Sequence, residues 1–226
     1  MFHTISEEND RKHILEGLLA FHKLDGLSLQ VSDVYKIHYD IKNWRDRAKE
    51  NDRPWIIMMD EIGPWHTGTR TDEDDLKHDT LRNKVLWDTL MAGGARVEWY
   101  FGWLRSPNDL DAEDLRSRNN RCEQTAVAQE FYKQIPYTEM ESMDDLIDNS
   151  KDYCFAKEGE VYVVYLKTGG STNLDLFVQT VDFEVMWYNP RTGGELQKGS
   201  KQTRQGGSEV NIGLYQMTWK RIGLCF

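Results

Sequence analysis

The sequence predicts an α/β unit of the (β/α)-barrel kind over residues 1–149, followed by a small antiparallel β-sandwich over residues 150–226. Three observations carry this. Residues 53–102 hold two short apolar strands, RPWIIMMDEIGP and GARVEWYFG, with a helix-length segment between them. Each strand ends in a carboxylate, Glu61 and Glu98, and in a (β/α)-barrel the catalytic residues sit at the carboxyl ends of the strands. After residue 150 helix-period patterns stop, and short alternating runs between Gly-rich turns take over, as in a sandwich.

The elements follow in order. Residues 7–23 carry Ile14, Leu15, Leu18, Leu19 and Phe21 at helical spacing, and Asp25-Gly26 closes that helix. LSLQV, residues 27–31, is a short strand. Residues 34–49 are helical, with Ile37, Ile41, Trp44 and Ala48 on one stripe. The strand at 55–61 is almost continuously apolar, which predicts burial on both faces as in a parallel sheet. Alternation sets Trp55, Ile57, Met59 and Glu61 on one face and Ile56, Met58 and Asp60 on the other. With the first set toward the barrel axis, Glu61 is the last inward residue and Asp60 points to the helices or caps a loop.

Gly63-Pro64 ends that strand, and residues 65–79 form a polar loop of a length that is often functional. Asp79 is placed to cap a helix over 80–91, with Gly93-Gly94 as its stop. The next strand is 95–101. A charged passage follows, then a helix over 123–134 that Pro136 ends. YCFA, EVYVVYL, LDLFV and FEVMWY are the strands of the second domain.

Composition narrows the function classes. The 226 residues are 39% hydrophobic and 12% aromatic, with eight Trp, enough for a real core. A net charge of −10 repels polyphosphate, which argues against nucleic acid as partner. No apolar run reaches the roughly 18–20 residues of a membrane span. Cys122, Cys154 and Cys225 are not at metal-ligand spacing and are expected to be buried thiols. No cofactor or catalytic zinc is implied.

Several side chains could carry chemistry. A carboxylate at the position of Glu61 can attack an anomeric carbon, as retaining glycosidases require; the alternative is an ion pair with an Arg at the rim. Glu98 could contact substrate, and Trp99 and Tyr100 offer flat faces on which sugar rings stack. The alternative there is ordinary core packing with a rim ion pair. His3 and His38 lie near strand ends and could hydrogen-bond a sugar hydroxyl. His78-Asp79 could reach a ligand or cap a helix. Asp109, Asp114, Arg116 and Arg118 form a charge cluster expected to hold a loop.

Together, RPWIIMMDEIGP, HDTLRNKVLWDTLMAGGARVEWYFG and NDLDAEDLRSRNNR resemble the carboxyl-terminal half of an apiosidase-like glycoside hydrolase barrel. GEVYVVYL, LDL and VMWYNPRTGGEL resemble the β-domain named "putative collagen-binding domain of a collagenase", which commonly follows such a barrel. The resemblance implies a retaining (β/α)8 glycosidase acting on plant or algal polysaccharide. Residues 1–4, 27–31, 55–61 and 95–101 then match strands 5 to 8. Glu61 takes the nucleophile position, and the acid/base position at the end of strand 4 falls before Met1. The chain is expected to be a fragment, inactive alone, of a parent that is extracellular or periplasmic. The alternative is a non-catalytic carbohydrate-binding or scaffold protein. In either case the partner is an oligo- or polysaccharide.

The resemblance departs at the other end. Family members close the β-domain with Asp-Trp and apolar residues, whereas LYQMTWKRIGLCF lacks strand alternation. With permitted codons, residues 215–226 read two nucleotides in as Pro-Asp-Asp-Leu-Glu-Lys-Asp-Trp-Ala-Leu-Leu. A frameshifted tail of about twelve residues is therefore expected.

Overall fold

The computed structural model describes residues 1–5, 7–104, 108 and 115–214, and the backbone of Leu224–Cys225. The chain divides into two compact units, Met1–Glu123 and Gln124–Phe226.

In the first unit four parallel strands lie side by side in chain order: β1 (Phe2–His3), β2 (Gly26–Leu29), β3 (Ile56–Ile62) and β4 (Arg96–Trp99). Parallel neighbours cannot be joined by a tight turn and need crossovers. Helix α1 (Glu8–Leu18) supplies the first and α2 (Ile37–Glu50) the second. The third is a helix in three pieces: α3 (Asp79–Leu81), a π-helical turn Arg82–Leu86, and α4 (Trp87–Met91). The expected cap at Asp79 is absent: His78 holds the N-cap position in a left-handed conformation, and the Asp79 carboxylate accepts from Arg82 instead.

The core lies on one face of this sheet. Leu15 of α1 and Ile37, Ile41, Trp44 and Ala48 of α2 pack with Leu27, Leu29, Ile57 and Met59, all of them buried. Burial contributes roughly 1.5–3 kcal/mol for each large aliphatic side chain. The other face carries His3, Ser28, Met58 and Arg96 in one row across the four strands. On that face Ile56 is 55% exposed. The alternation along β3 is thus as the sequence indicates, but its sense is reversed. Trp55, Ile57 and Met59 are buried, the last two beneath the helices, and Ile56, Met58 and Asp60 take the open face.

In the second unit β5 (Glu141–Ser142), β6 (Tyr153–Lys157), β7 (Val161–Tyr165), β9 (Asp182–Tyr188), β10 (Gln197–Gln205) and β12 (Leu224–Cys225) form one antiparallel sheet in the order β10-β9-β12-β7-β6-β5. Strands β8 (Asn173–Asp175) and β11 (Glu209–Asn211) form a second, two-stranded sheet. Tyr162 and Val164 of β7 and Val185 and Trp187 of β9 share a core with Leu174 and Ile212 from the other side.

The opposite side of the large sheet meets the part of α5 (Asn119–Tyr132) that belongs to this unit, from Gln124 on. Its Phe131 ring lies 4.9 Å from that of Tyr188, whose hydroxyl donates to the Val127 carbonyl at 2.9 Å. These contacts tie the end of α5 to the β-sheet, so the compact unit begins well before the change of sequence texture near residue 150. In the tail, Leu224–Cys225 pairs with both β7 and β9; the rest of residues 215–226, where the frameshift is expected, lies outside the described residues.

Candidate active site

The regular register between β3 and β4 runs through Met59↔Val97 and shifts before Ile62↔Trp99. Within that shift Glu61 has φ +49°. A left-handed conformation in a residue other than glycine costs on the order of 1–3 kcal/mol and clusters at functional sites. The irregularity sets two consecutive carboxylates at the carboxyl end of β3. Glu61 is exposed and accepts a hydrogen bond from the Gln30 side chain, just past β2. Asp60 is buried and lies 3.7 Å from His3 Nε2. Asp60 therefore does not turn to the helices as the strand alternation suggested.

Gln30 is itself fixed from two sides. Its N–H donates to Thr4 Oγ1 at 2.8 Å, and its carbonyl accepts from Arg11 Nη1 at 2.8 Å. Arg11 and Asp40 form an ion pair of 2.8 Å between α1 and α2, with both side chains at least nine-tenths buried. A chain of contacts thus runs from the buried pair to the Glu61 carboxylate.

Glu98 stands on β4 beside Asp60. Arg96 Nη2 donates to it at 2.8 Å. Its pKa is raised above the ordinary 4.5, first by a hydrogen bond with Asp60, then by partial burial and the Asp60 charge, with Arg96 opposing. The folded state therefore holds more proton here than the unfolded state, so stability falls as pH rises from about 4.5 through the raised pKa. Glu98→Gln keeps a hydrogen-bonding group and removes the like charge. It should flatten that decline and leave the protein slightly more stable at neutral pH, as urea denaturation from pH 4 to 7 will read.

A cleft of about 560 Å³ opens at this end of the sheet, lined by Gln30, Asp60, Glu61, Trp65 and Tyr100 among others. A second cleft of similar size, beside Thr69, Arg70, Asp74 and Arg118, shares none of these residues. Of the expected site residues, Glu61 and Tyr100 line the first cleft, while His3 and Glu98 flank Asp60 on the open face. Trp99 does not line it: its side chain packs against the helix-covered core, and the Arg121 guanidinium lies 4.9 Å over its ring. His38 is not brought to the site. It sits in the first turn of α2, buried, with Nδ1 3.1 Å from the Asp88 carbonyl on α4.

His78 is fully buried and contacts Asp72 at 2.6 Å and Arg121 at 2.8 Å, so it holds the loop rather than a ligand. Asp109 and Asp114 lie outside the described residues. Arg118 donates to the Thr69 carbonyl at 3.3 Å and covers the Phe101 ring at 4.4 Å. Cys154 is buried, but Cys122 is exposed on α5, contrary to expectation. Among the described residues no three His, Cys, Asp or Glu side chains converge as metal ligands.

Two further side chains were missed. Trp65 follows Gly63-Pro64 and Trp103 follows Gly102; an aromatic beside a turn glycine is the signal that could have found them. Their loops touch backbone to backbone: the Thr69 N–H donates to Tyr100 O at 2.7 Å, and those of Trp103 and Leu104 donate to His66 O at 3.1 and 2.9 Å. Gly68 and Gly102 sit at this crossing with φ +61° and +72°. A Cβ on Gly102 would lie 2.6 Å from Gly68 N and 2.7 Å from His66 O. Gly102→Ala should part the loops and cost roughly 1–3 kcal/mol in denaturant unfolding.

Comparisons with known proteins bear on each unit. The family model described as "Putative collagen-binding domain of a collagenase" matches residues 139–212, about a third of the chain. A glycoside hydrolase family 5 structure from Bacteroides vulgatus ATCC 8482 is similar at TM-score 0.54 and 12% identity, over 82% of this chain and 44% of that one. Another glycoside hydrolase structure gives 0.54 and 13%, over 82% and 45%. An Anoxybacillus α-amylase gives 0.52 and 12%, over 99% and 51%. The chain spans about half the length of the structures it matches, and at these identities the likeness is one of fold. No curated protein sequence matches it significantly.

Proposed function

We propose that the first unit is the carboxyl-terminal half of a retaining, apiosidase-like (β/α)8 glycosidase barrel, with Glu61 as its nucleophile. The observation that carries this reading is the strained carboxylate at the carboxyl end of a parallel strand, exposed on a cleft and oriented by Gln30. The fold likeness to glycoside hydrolases supports it. So does the arrangement of the sheet. Four parallel strands in chain order, with every crossover helix on one side, form a singly wound sheet whose open face corresponds to a barrel interior.

In this reading Glu61 Oε attacks the anomeric carbon of the bound sugar. The bond from that carbon to the leaving oxygen breaks, and a general acid protonates the departing oxygen. Water then attacks the anomeric carbon, giving its proton to the same group, now a base, and the bond from that carbon to Glu61 Oε breaks, which restores both carboxyls. Glu98, which accepts from Arg96 and stands next to Asp60, is assigned no proton-transfer role in this reading. The acid belongs to the half of the barrel that these four strands do not supply. The substrate is a plant or algal polysaccharide, the parent protein is extracellular or periplasmic, and the β-unit is a packing or carbohydrate-associated module.

The test is hydrolysis of aryl glycosides and plant and algal oligosaccharides by the 226-residue chain, alone and extended by the four preceding βα units. The chain alone should be inactive and the extended protein active. General-acid catalysis typically contributes about 10²–10⁴-fold, and the missing units also hold much of the substrate-positioning surface. Robust turnover by the chain alone would refute this division of labour.

A further inference from the structure

The Trp65–Trp103 pair has no role in the chemistry above, and the fold spends two constrained glycines on holding it. The ring centroids lie 5.6 Å apart with 43° between the planes. The two residues are 72% and 47% exposed. A single exposed aromatic needs no explanation, but contiguous exposed apolar surface marks a binding site. This pair is also built. The Tyr100 hydroxyl donates to the Trp65 carbonyl at 2.8 Å, and the backbone crossing at Gly68 and Gly102 fixes both loops. Trp65 lines the same cleft as Glu61.

The chemistry of the surroundings selects the ligand. Indole faces are electron-rich and apolar and attract the C–H face of a sugar ring. Asp60, Glu61 and Gln30 beside them accept or donate hydrogen bonds as sugar hydroxyls require. The same carboxylates, in a chain of net charge −10, disfavour a stacked nucleotide. We propose that Trp65 and Trp103 form a stacking subsite for a sugar ring of an oligosaccharide, next to the ring that is held over Glu61. The position of this subsite rests on the glycosidase reading, whereas sugar binding by the two indoles can be measured without any bond cleavage.

The experiment is tryptophan fluorescence and calorimetric titration of the 226-residue chain with xylohexaose, cellohexaose, a homogalacturonan hexasaccharide and gelatin peptides. At least one sugar should quench the fluorescence saturably. Trp65→Ala and Trp103→Ala should each weaken that binding about tenfold, a loss on the scale of one aromatic contact, while Trp65→Phe retains most of it. Both indoles are exposed, so circular dichroism and the unfolding midpoint of the variants should match the parent. Binding of none of the sugars, binding of gelatin peptides alone, or sugar affinity unchanged in both Ala variants would overturn the proposal. Loss of hydrolysis in the extended protein with binding intact would refute the glycosidase reading and leave the sugar site standing.

Discussion

Glu61→Gln in the extended protein should abolish turnover and leave the fold intact. The exchange is nearly isosteric and keeps a group at the end of the Gln30 contact, so little packing is lost. It removes the anionic oxygen that must form the bond to the anomeric carbon. A neutral amide is a far poorer nucleophile, so kcat should fall by several orders of magnitude while substrate affinity changes little. That pattern marks an interaction made in the transition state alone. Steady-state kinetics with an aryl glycoside gives kcat and KM separately. Full activity of the variant would refute the nucleophile role.

The second large effect is expected far from the cleft. Arg11→Ala strands the Asp40 carboxylate between α1 and α2. Removing one partner of a buried ion pair typically costs about 3–5 kcal/mol, because the other charge is left without compensation. The Asp40 pKa is already raised above the ordinary 3.8, since burial outweighs the attraction of Arg11. Without the guanidinium it should rise further. Folding then takes up a proton, so the penalty grows as pH rises above about 4 and is smallest in acid. Urea unfolding at pH 4 and pH 7 measures this. The double change Arg11→Met with Asp40→Leu should recover most of the loss, as apolar replacements of buried pairs often do. Arg11→Ala should also loosen Gln30 and, through it, Glu61.

Much of the first unit was legible because its helices are amphipathic. The stripe Ile37, Ile41, Trp44 and Ala48 is buried as its spacing indicates. The sense of β3 was not legible. Ile56 and Met58 are as apolar as Ile57 and Met59, so alternation defines two faces without saying which one the helices cover. Only the tertiary structure, with Ile56 exposed, decides it. Glu61 reaches the cleft through a register shift and a positive φ, neither of which its residue type announces.

The errors at the site have similar causes. His38 follows the β2 strand closely in sequence, but it lies in the first turn of α2, which starts at Ile37, and its imidazole points to the neighbouring helix rather than to the strand ends. Trp99 was read as a rim aromatic, yet the shift that frees Glu61 leaves it paired with Ile62 and packed against the core. The stacking faces at the cleft come from loop residues, where periodicity carries no information. In the β-unit the alternating runs were legible, but the partner of β7 and β9 near the carboxyl terminus was not, because two paired residues are too few to alternate.

The most direct measurement on the central claim is trapping of the glycosyl–enzyme ester. The extended protein is incubated with 2-deoxy-2-fluoroglycosyl fluorides of the sugars it hydrolyses, digested and analysed by mass spectrometry. The carboxylate that attacks displaces fluoride and stays bonded to the anomeric carbon. The adduct is predicted on Glu61, with Glu61→Gln unlabelled. An adduct on Glu98 or any other carboxylate, or hydrolysis of the parent glycosides without any adduct, would contradict the assignment of Glu61 as nucleophile.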